Sequence, residues 1–189
     1  MQPVELRTAR LTLSVPVADD ADALYDACQD PAIQRYTTVP SPYTRQDAEG
    51  FPLRAALGWH EVTDAVWALR RDGVLAGVVG LHRLQPGEGE LGYWLAPAFR
   101  GSGLMTEAAA AVVDWGFHGP LALARVEWRA VVGNTGSAAI AQRLGFRYAG
   151  MLRLAVRDGR GRRSDAWVAD RLPTDAPGPV DWRLDVVNG

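Results

Sequence analysis

Apolar and polar residues alternate along Arg125–Val132 and towards the end of Leu6–Val15, the period of strands with one face on a core. Two apolar runs, Ala65–Arg70 and Val74–Leu81, flank Asp72–Gly73 and predict a tight hairpin. A second hairpin is expected around Pro86–Gly87–Glu88–Gly89, with Glu90–Ala96 as its far arm, and a third pair, Arg147–Arg157 and Arg163–Asp170, around Asp158–Gly159. Helical stretches interleave with these strands. Asp19 or Asp20 can cap a helix running to about Asp30, with Ala23, Leu24, Ala27 and Cys28 as its inner face. Thr106–His118 is alanine-rich and stopped by Gly119–Pro120, and a helix capped by Asn134 ends at Gly145. Between Pro31 and His60 the pattern is mixed: Pro31, Pro40 and Pro42 break the chain, Thr44 can cap a helix, and Pro52 is expected to interrupt it. A meander of strands followed by helix, strand and helix implies an α+β fold with a mixed, mostly antiparallel sheet covered by helices.

The chain has 189 residues, 48% of them hydrophobic, enough for one well-buried core and short for two. One domain is expected over residues 1–172. The Pro-rich stretch after Pro173 reads as a linker opening a tail over 173–189, whose segment Val180–Val187 is apolar enough to dock on the domain or on a second copy in a homodimer. A net charge of −2 argues against a dedicated nucleic-acid binder, and the twenty basic residues, all arginine, are scattered. Arg160, Arg162 and Arg163 form a basic hairpin tip, read as solvated or, less simply, as an anion contact. Cys28 is the single cysteine, which excludes an internal disulfide and argues against a cysteine metal site, so no metal is expected. No apolar run approaches the ~20 residues of a membrane span, the first residues lack the regions of a signal peptide, and the expected compartment is the cytoplasm.

The chemistry concentrates in Tyr93–Glu107. An aromatic strand passes through Arg100–Gly101–Ser102–Gly103 into the alanine-rich helix, so that backbone N–H groups and the positive helix end converge on one point. Gly101 and Gly103 can take positive φ and place no Cβ before an approaching oxyanion. Such a bend suits a phosphate. Neither GxxxxGK[ST] nor a dinucleotide GxGxxG is present, which removes ATP and NAD as natural ligands.

Arg100-x-x-Gly103-x-Met105 resembles the R/Q-x-x-G-x-G/A pyrophosphate loop of the GNAT superfamily of N-acetyltransferases, with Met105 departing from Gly or Ala at the last position. Asn134-x-x-Ser137 followed by Leu144–Gly145–Phe146 resembles a second segment of that superfamily. Together with Glu90–Leu95, the two blocks are similar to the branch that acetylates the N-terminal alanine of ribosomal proteins. The resemblance implies a sheet splayed between its fourth and fifth strands, acetyl-CoA as cosubstrate, and direct transfer to an amine in a ternary complex. It leaves open a protein N-terminus, a small-molecule amine, or a non-catalytic acyl-CoA sensor.

The same resemblance distributes roles. Tyr93, Trp94 and Leu95 would line the pantetheine arm, with an N–H near Leu95 as oxyanion donor. The amides from Arg100, Gly101, Ser102, Gly103, Leu104, Met105 and Thr106 would hold the pyrophosphate, and Asn134 would contact CoA. Many members protonate the leaving sulfur with a tyrosine on the last helix, at the position filled here by Ala141, so Ser137 would serve the sulfur instead. For the base, Glu90 enters the site strand and His82 competes with a pKa nearer neutrality. The Pro31–His60 region would cover the acceptor, so Tyr36, Tyr43, Phe51 and Trp59 either line its pocket or are core aromatics.

Overall fold

In the computed structural model, residues 1–176 and 178–182 are described. The sheet has eight strands in the order β1-β2-β3-β4-β5-β6-β8-β7: β1 Leu6–Arg7, β2 Thr12–Ser14, β3 Ala65–Arg71, β4 Val74–Gln85, β5 Glu88–Leu95, β6 Arg125–Val131, β7 Arg147–Arg157 and β8 Arg163–Arg171. Every neighbouring pair is antiparallel except β5 and β6, which run parallel. The helices are α1 Ala21–Ala27, α2 Pro31–Tyr36, α3 Arg45–Glu61, α4 Leu104–His118 and α5 Thr135–Arg143. This mixed sheet with flanking helices is the expected α+β fold.

Several boundaries differ from the sequence pattern. Leu6–Val15 is not one strand: Thr8 bonds back to Leu11 and folds the segment into the β1–β2 hairpin. The inner face of α1 is Leu24 and Cys28, each 1% exposed, while Ala23 faces solvent. Pro52 does not interrupt α3. Thr44 and Asp47 close a capping box at its start, and Ala48, Ala55, Gly58 and Trp59 are buried along its inner side, so packing outweighs one missing N–H. At the second hairpin β4 continues to Gln85 and only Pro86–Gly87 form the turn, which puts Glu88 and Gly89 in β5. The hairpin about Asp72–Gly73 has both residues at positive φ, 51° and 81°, as a two-residue turn of this twist requires.

The sheet divides the interior. On the α4–α5 side Val79, Leu81, Leu91 and Trp128 meet Leu104, Ala108, Val112 and Ala141. On the α1–α3 side Val66, Ala68 and Val78 meet Leu24, Cys28, Tyr43 and Ala55. Two long-range ties fix the periphery. Arg70 makes a bidentate pair with the buried Asp20 at 2.6 and 2.8 Å. The β7–β8 tip is not simply solvated: the Gly159 carbonyl accepts from the Ser41 N–H, Arg160 reaches Ser41 Oγ, and Arg162 is paired with Asp158.

The described part of the tail returns to the domain. Val180 donates its N–H to the Gln142 carbonyl, and Trp182, 5% exposed, packs against Trp128 and Tyr148 while its Nε1 donates to Phe146 O at 2.7 Å. The remainder of the expected docking segment, from residue 183 onward, lies outside the described residues. Trp182→Ala is expected to lower unfolding free energy by about 3 kcal/mol, measured by urea denaturation; a loss near zero would show that the ring contributes nothing to the core.

Candidate active site

β5 and β6 pair through four rungs, from Glu88–Arg125 to Leu91–Trp128, and there the ladder stops. From Gly92 and Arg129 onward the two strands separate, which is the expected splay; it falls between the fifth and sixth strands because the first expected strand is two. The Ala96 N–H bonds to Ala76 of β4. By strand alternation the Leu95 N–H then faces the opposite way, into the gap.

At the top of the gap, a short 3-10 turn at Pro97–Phe99 leads to Gly101 and Gly103, both at positive φ, 79° and 77°. Gly103 is the N-cap of α4 and carries no side chain to cap it. The Glu107 N–H makes the first bond of the helix, to the Gly103 carbonyl. The amides of Leu104, Met105 and Thr106 therefore have no intrahelical partner and point out of the helix end. Met105 is 4% exposed and belongs to the core, so the departure at the last position of the loop pattern turns its side chain inward. Ser102 sits on the outside of the bend, its Oγ donating to the Phe99 carbonyl.

Arg10 holds this bend, a role no local pattern signals. It donates from its own N–H to Glu107 at 2.9 Å, from Nε to the same carboxylate at 2.6 Å, and from its guanidinium to the Ser102 carbonyl at 2.9 Å. Burial raises the Glu107 pKa, but hydrogen bonds from Thr8 and Arg10 outweigh it and hold the carboxyl below its ordinary value. Arg100 is tied back in the same way, to the Leu95 carbonyl and to Asp30 at 2.9 Å, and Asp30 also caps α2 through the Ala32 and Ile33 amides.

A cavity of about 940 Å³ runs from the glycine bend through the gap. Tyr93, Trp94, Leu95, Arg100, Gly101, Gly103, Leu104, Met105, Thr106, Asn134 and Ser137 all line it, and Tyr36 of α2 closes it from the other side of the sheet. At its floor Trp128 Nε1 donates to both Ser137 Oγ and Tyr93 Oη at 3.1 Å, Tyr93 Oη donates to the Ser137 carbonyl, and Ser137 Oγ lies 3.1 Å from Tyr93 Oη. Burial pushes the Tyr93 hydroxyl up to about 12, so it remains a proton carrier near neutrality. Asn134 accepts the Ser137 N–H at 3.3 Å as N-cap of α5, which turns its carbonyl oxygen to the helix.

Five of the candidate site residues lie outside this cavity. Trp59 is fully buried, edge-on to Trp67 and Trp115, with Nε1 on the Val66 carbonyl; it is a core aromatic. Tyr43 and Phe51 likewise belong to the packing under α3. Glu90 and His82 do not line the cavity. They are paired across β4 and β5 on the α1–α3 face. Glu90 accepts from Arg83 at 2.6 Å and has Arg129 at 3.7 Å. Burial raises its pKa against the pull of both guanidiniums. His82 Nδ1 is 2.8 Å from Asp64 Oδ1.

The comparisons with known proteins agree with this geometry. Residues 10–147 match the family described as Acetyltransferase (GNAT) domain. The chain belongs to that family. It is 40% identical over 77 residues to "Putative ribosomal N-acetyltransferase YdaF" of Bacillus subtilis (strain 168), a match covering 40% of this chain and 42% of the relative. A second relative from that strain is matched over 49% of its length, so the chain spans under half of these two proteins. "Uncharacterized N-acetyltransferase p20" of Bacillus licheniformis is 28% identical over 179 residues, 92% of this chain and 98% of the relative. Among solved structures, the RimL ribosomal L7/L12 alpha-N-protein acetyltransferase in complex with coenzyme A superposes with a TM-score of 0.80 at 19% identity, covering 89% of this chain and 98% of that one. Among the described residues no cluster of His, Cys, Asp and Glu could hold a metal ion, and no helix is long and apolar enough to cross a membrane.

Because Glu107 has a lower pKa folded than unfolded, the stability it contributes is present above about pH 4.3 and is lost as pH falls through its folded value. Glu107→Gln should flatten the drop in stability between about pH 5 and pH 3, read as the denaturation midpoint at each pH; an unchanged slope would remove the Arg10–Glu107 clamp from the account.

Proposed function

We propose that the protein transfers the acetyl group of acetyl-CoA to a primary amine, the N-terminal residue of a protein, by direct attack in a ternary complex. The observation that carries this reading is the join of an unzipped β5–β6 gap to unpartnered amides at the start of α4. A diphosphate needs converging N–H donors and a positive helix end, and the bend from Arg100 to Thr106 offers both with no Cβ in the way at Gly101 and Gly103. The gap edge at Tyr93–Leu95 offers main-chain groups to an extended amide-bearing arm, as a missing strand would.

The residues then divide the work. The Leu95 N–H faces the gap as donor to a carbonyl oxygen that gains charge. Ser137, in the first turn of α5, can turn its Oγ–H from Tyr93 Oη to a leaving sulfur, with Trp128 Nε1 donating to the oxygen and Tyr93 holding the Ser137 carbonyl. Helix polarity favours negative charge at that end. This replaces the tyrosine that Ala141, fully buried, cannot supply. On the far side, Tyr36 and Trp94 border the acceptor's path. The kinship to ribosomal N-acetyltransferases supports a protein N-terminus as acceptor, a cytoplasmic location and a single acetyltransferase domain over residues 1–172. A homodimer belongs to the same reading, checked by solution mass with and without residues after Pro173.

Thiol release from acetyl-CoA, assayed with peptides beginning in alanine or serine and with a panel of small amines, tests the function. Peptide-dependent release supports it, amine-dependent release alone moves the acceptor to small molecules, and CoA binding without release makes the chain a sensor. Ser137→Ala should lower kcat about 10- to 100-fold with CoA affinity within about twofold. Arg10→Ala should weaken CoA binding about tenfold, roughly 1.4 kcal/mol, by freeing the bend; equal affinity in the variant, measured by calorimetry, would contradict the clamp.

A further inference from the structure

We infer that His82, oriented by Asp64, is the base that takes the proton from the acceptor's ammonium group. This rests on the acetyltransferase reading above and deepens it.

The two faces of the β5–β6 gap differ in what they offer. On the α4–α5 face the floor is the Tyr93–Ser137–Trp128 cluster, which suits the sulfur. On the α1–α3 face the strands carry Val78, Gly80 and His82 along β4 against Trp94, Gly92 and Glu90 along β5. Gly80 and Gly92 leave a bare patch of sheet between Trp94, which lines the cavity, and the His82–Glu90 pair. The His82 ring folds back over this patch. A Cβ on Gly92 would meet His82 Cδ2 at 2.8 Å, and a Cβ on Gly80 would meet His82 Nε2 at 3.0 Å. Gly92 is also the first residue of β5 beyond the last rung with β6. The imidazole therefore lies over Gly92, beside the point where the β5–β6 ladder ends, on the face opposite Ser137.

Its tautomer follows from its partner. Nδ1 faces the Asp64 carboxylate at 2.8 Å, and Asp64 is held ionised because the His82 contact outweighs the upward push of burial. Nδ1 then carries the hydrogen, and Nε2, which makes no hydrogen bond to the described residues, keeps its lone pair. Glu90 is a poorer candidate because its carboxylate is engaged by Arg83 and Arg129. The charged groups on this face are Asp64 from the α3–β3 turn, Arg83 and Glu90 from β4 and β5, Arg125, Glu127 and Arg129 from β6, and Asp170 from β8, with Glu127 paired to both β6 arginines and Arg125 also to Asp170. Four carboxylates to three guanidiniums make the face mildly attractive to an incoming ammonium.

The step balances. His82 Nε2 takes one proton from the ammonium and later gives it to solvent. The freed nitrogen lone pair attacks the thioester carbon, the N–C bond forms, and the C–S bond breaks with its electron pair on sulfur. The second proton lost by nitrogen equals the one gained by the thiolate on the Ser137 side.

The test uses the full chain, acetyl-CoA and peptides beginning in alanine or serine. Wild type should show acceptor-dependent thiol release whose kcat/KM falls on the acid side. His82→Gln, which can still bond Asp64, should lose about 100-fold or more in kcat, keep its CoA affinity and lack that acid limb. Asp64→Asn should lose about tenfold and move the limb to lower pH. If His82→Gln keeps both rate and limb while Glu90→Gln loses them, the base is Glu90 and the proposal is overturned. If wild type itself releases no thiol with any acceptor, the acetyltransferase reading fails first and this inference with it.

Discussion

The structure depends on a ladder that ends early. β5 and β6 exchange main-chain hydrogen bonds only as far as Leu91 and Trp128, and beyond that point two strand edges inside one sheet face each other without pairing. Interior edges of this kind are costly unless solvent or a ligand satisfies them. The fold accepts that cost by propping the strands from both sides. Trp128 is anchored under α5 by its bonds to Ser137 and Tyr93, and Trp182 backs it from the tail. α4 packs on β4 and β5 through Ala108, Ala109 and Val112, fixing where its N-terminus meets the open end.

From that opening the division of labour follows by electrostatics. The glycine bend and the start of α4 supply positive potential from the backbone alone, and the one carboxylate in the first turn, Glu107, is neutralised by Arg10. Across the sheet, the face between α3 and β6 carries charged side chains in pairs, with His82 Nε2 making no hydrogen bond to the described residues. In the proposed function, anion binding and proton removal would fall on opposite faces of one thin sheet.

Much of this was legible in the sequence where it depended on neighbours in the chain. Gly101 and Gly103 adopt the positive φ their position required, Asn134 caps α5, Gly145 ends it at φ 80°, and Asp72–Gly73 turns the first long hairpin. What was not legible depended on distance. Arg10 lies 97 residues from Glu107 and Asp64 18 from His82, and no local period marks either pair. For Trp59 the sequence leaves pocket wall and core aromatic both open, because aromatics near a site look alike, and only packing against Trp67 and Trp115 separates it from Tyr36. Pro52 misled for a related reason: a local rule about helix breaking was overruled by the buried side of α3.

The central claim is that main-chain groups beside the open strands and at the start of α4 hold a diphosphate and its extended arm. Amide hydrogen exchange with and without coenzyme A measures this most directly. Slowed exchange is expected at Leu95 and at Leu104, Met105 and Thr106, with little change in β1 or β7. Coenzyme A that left those four amides exchanging as before would contradict it.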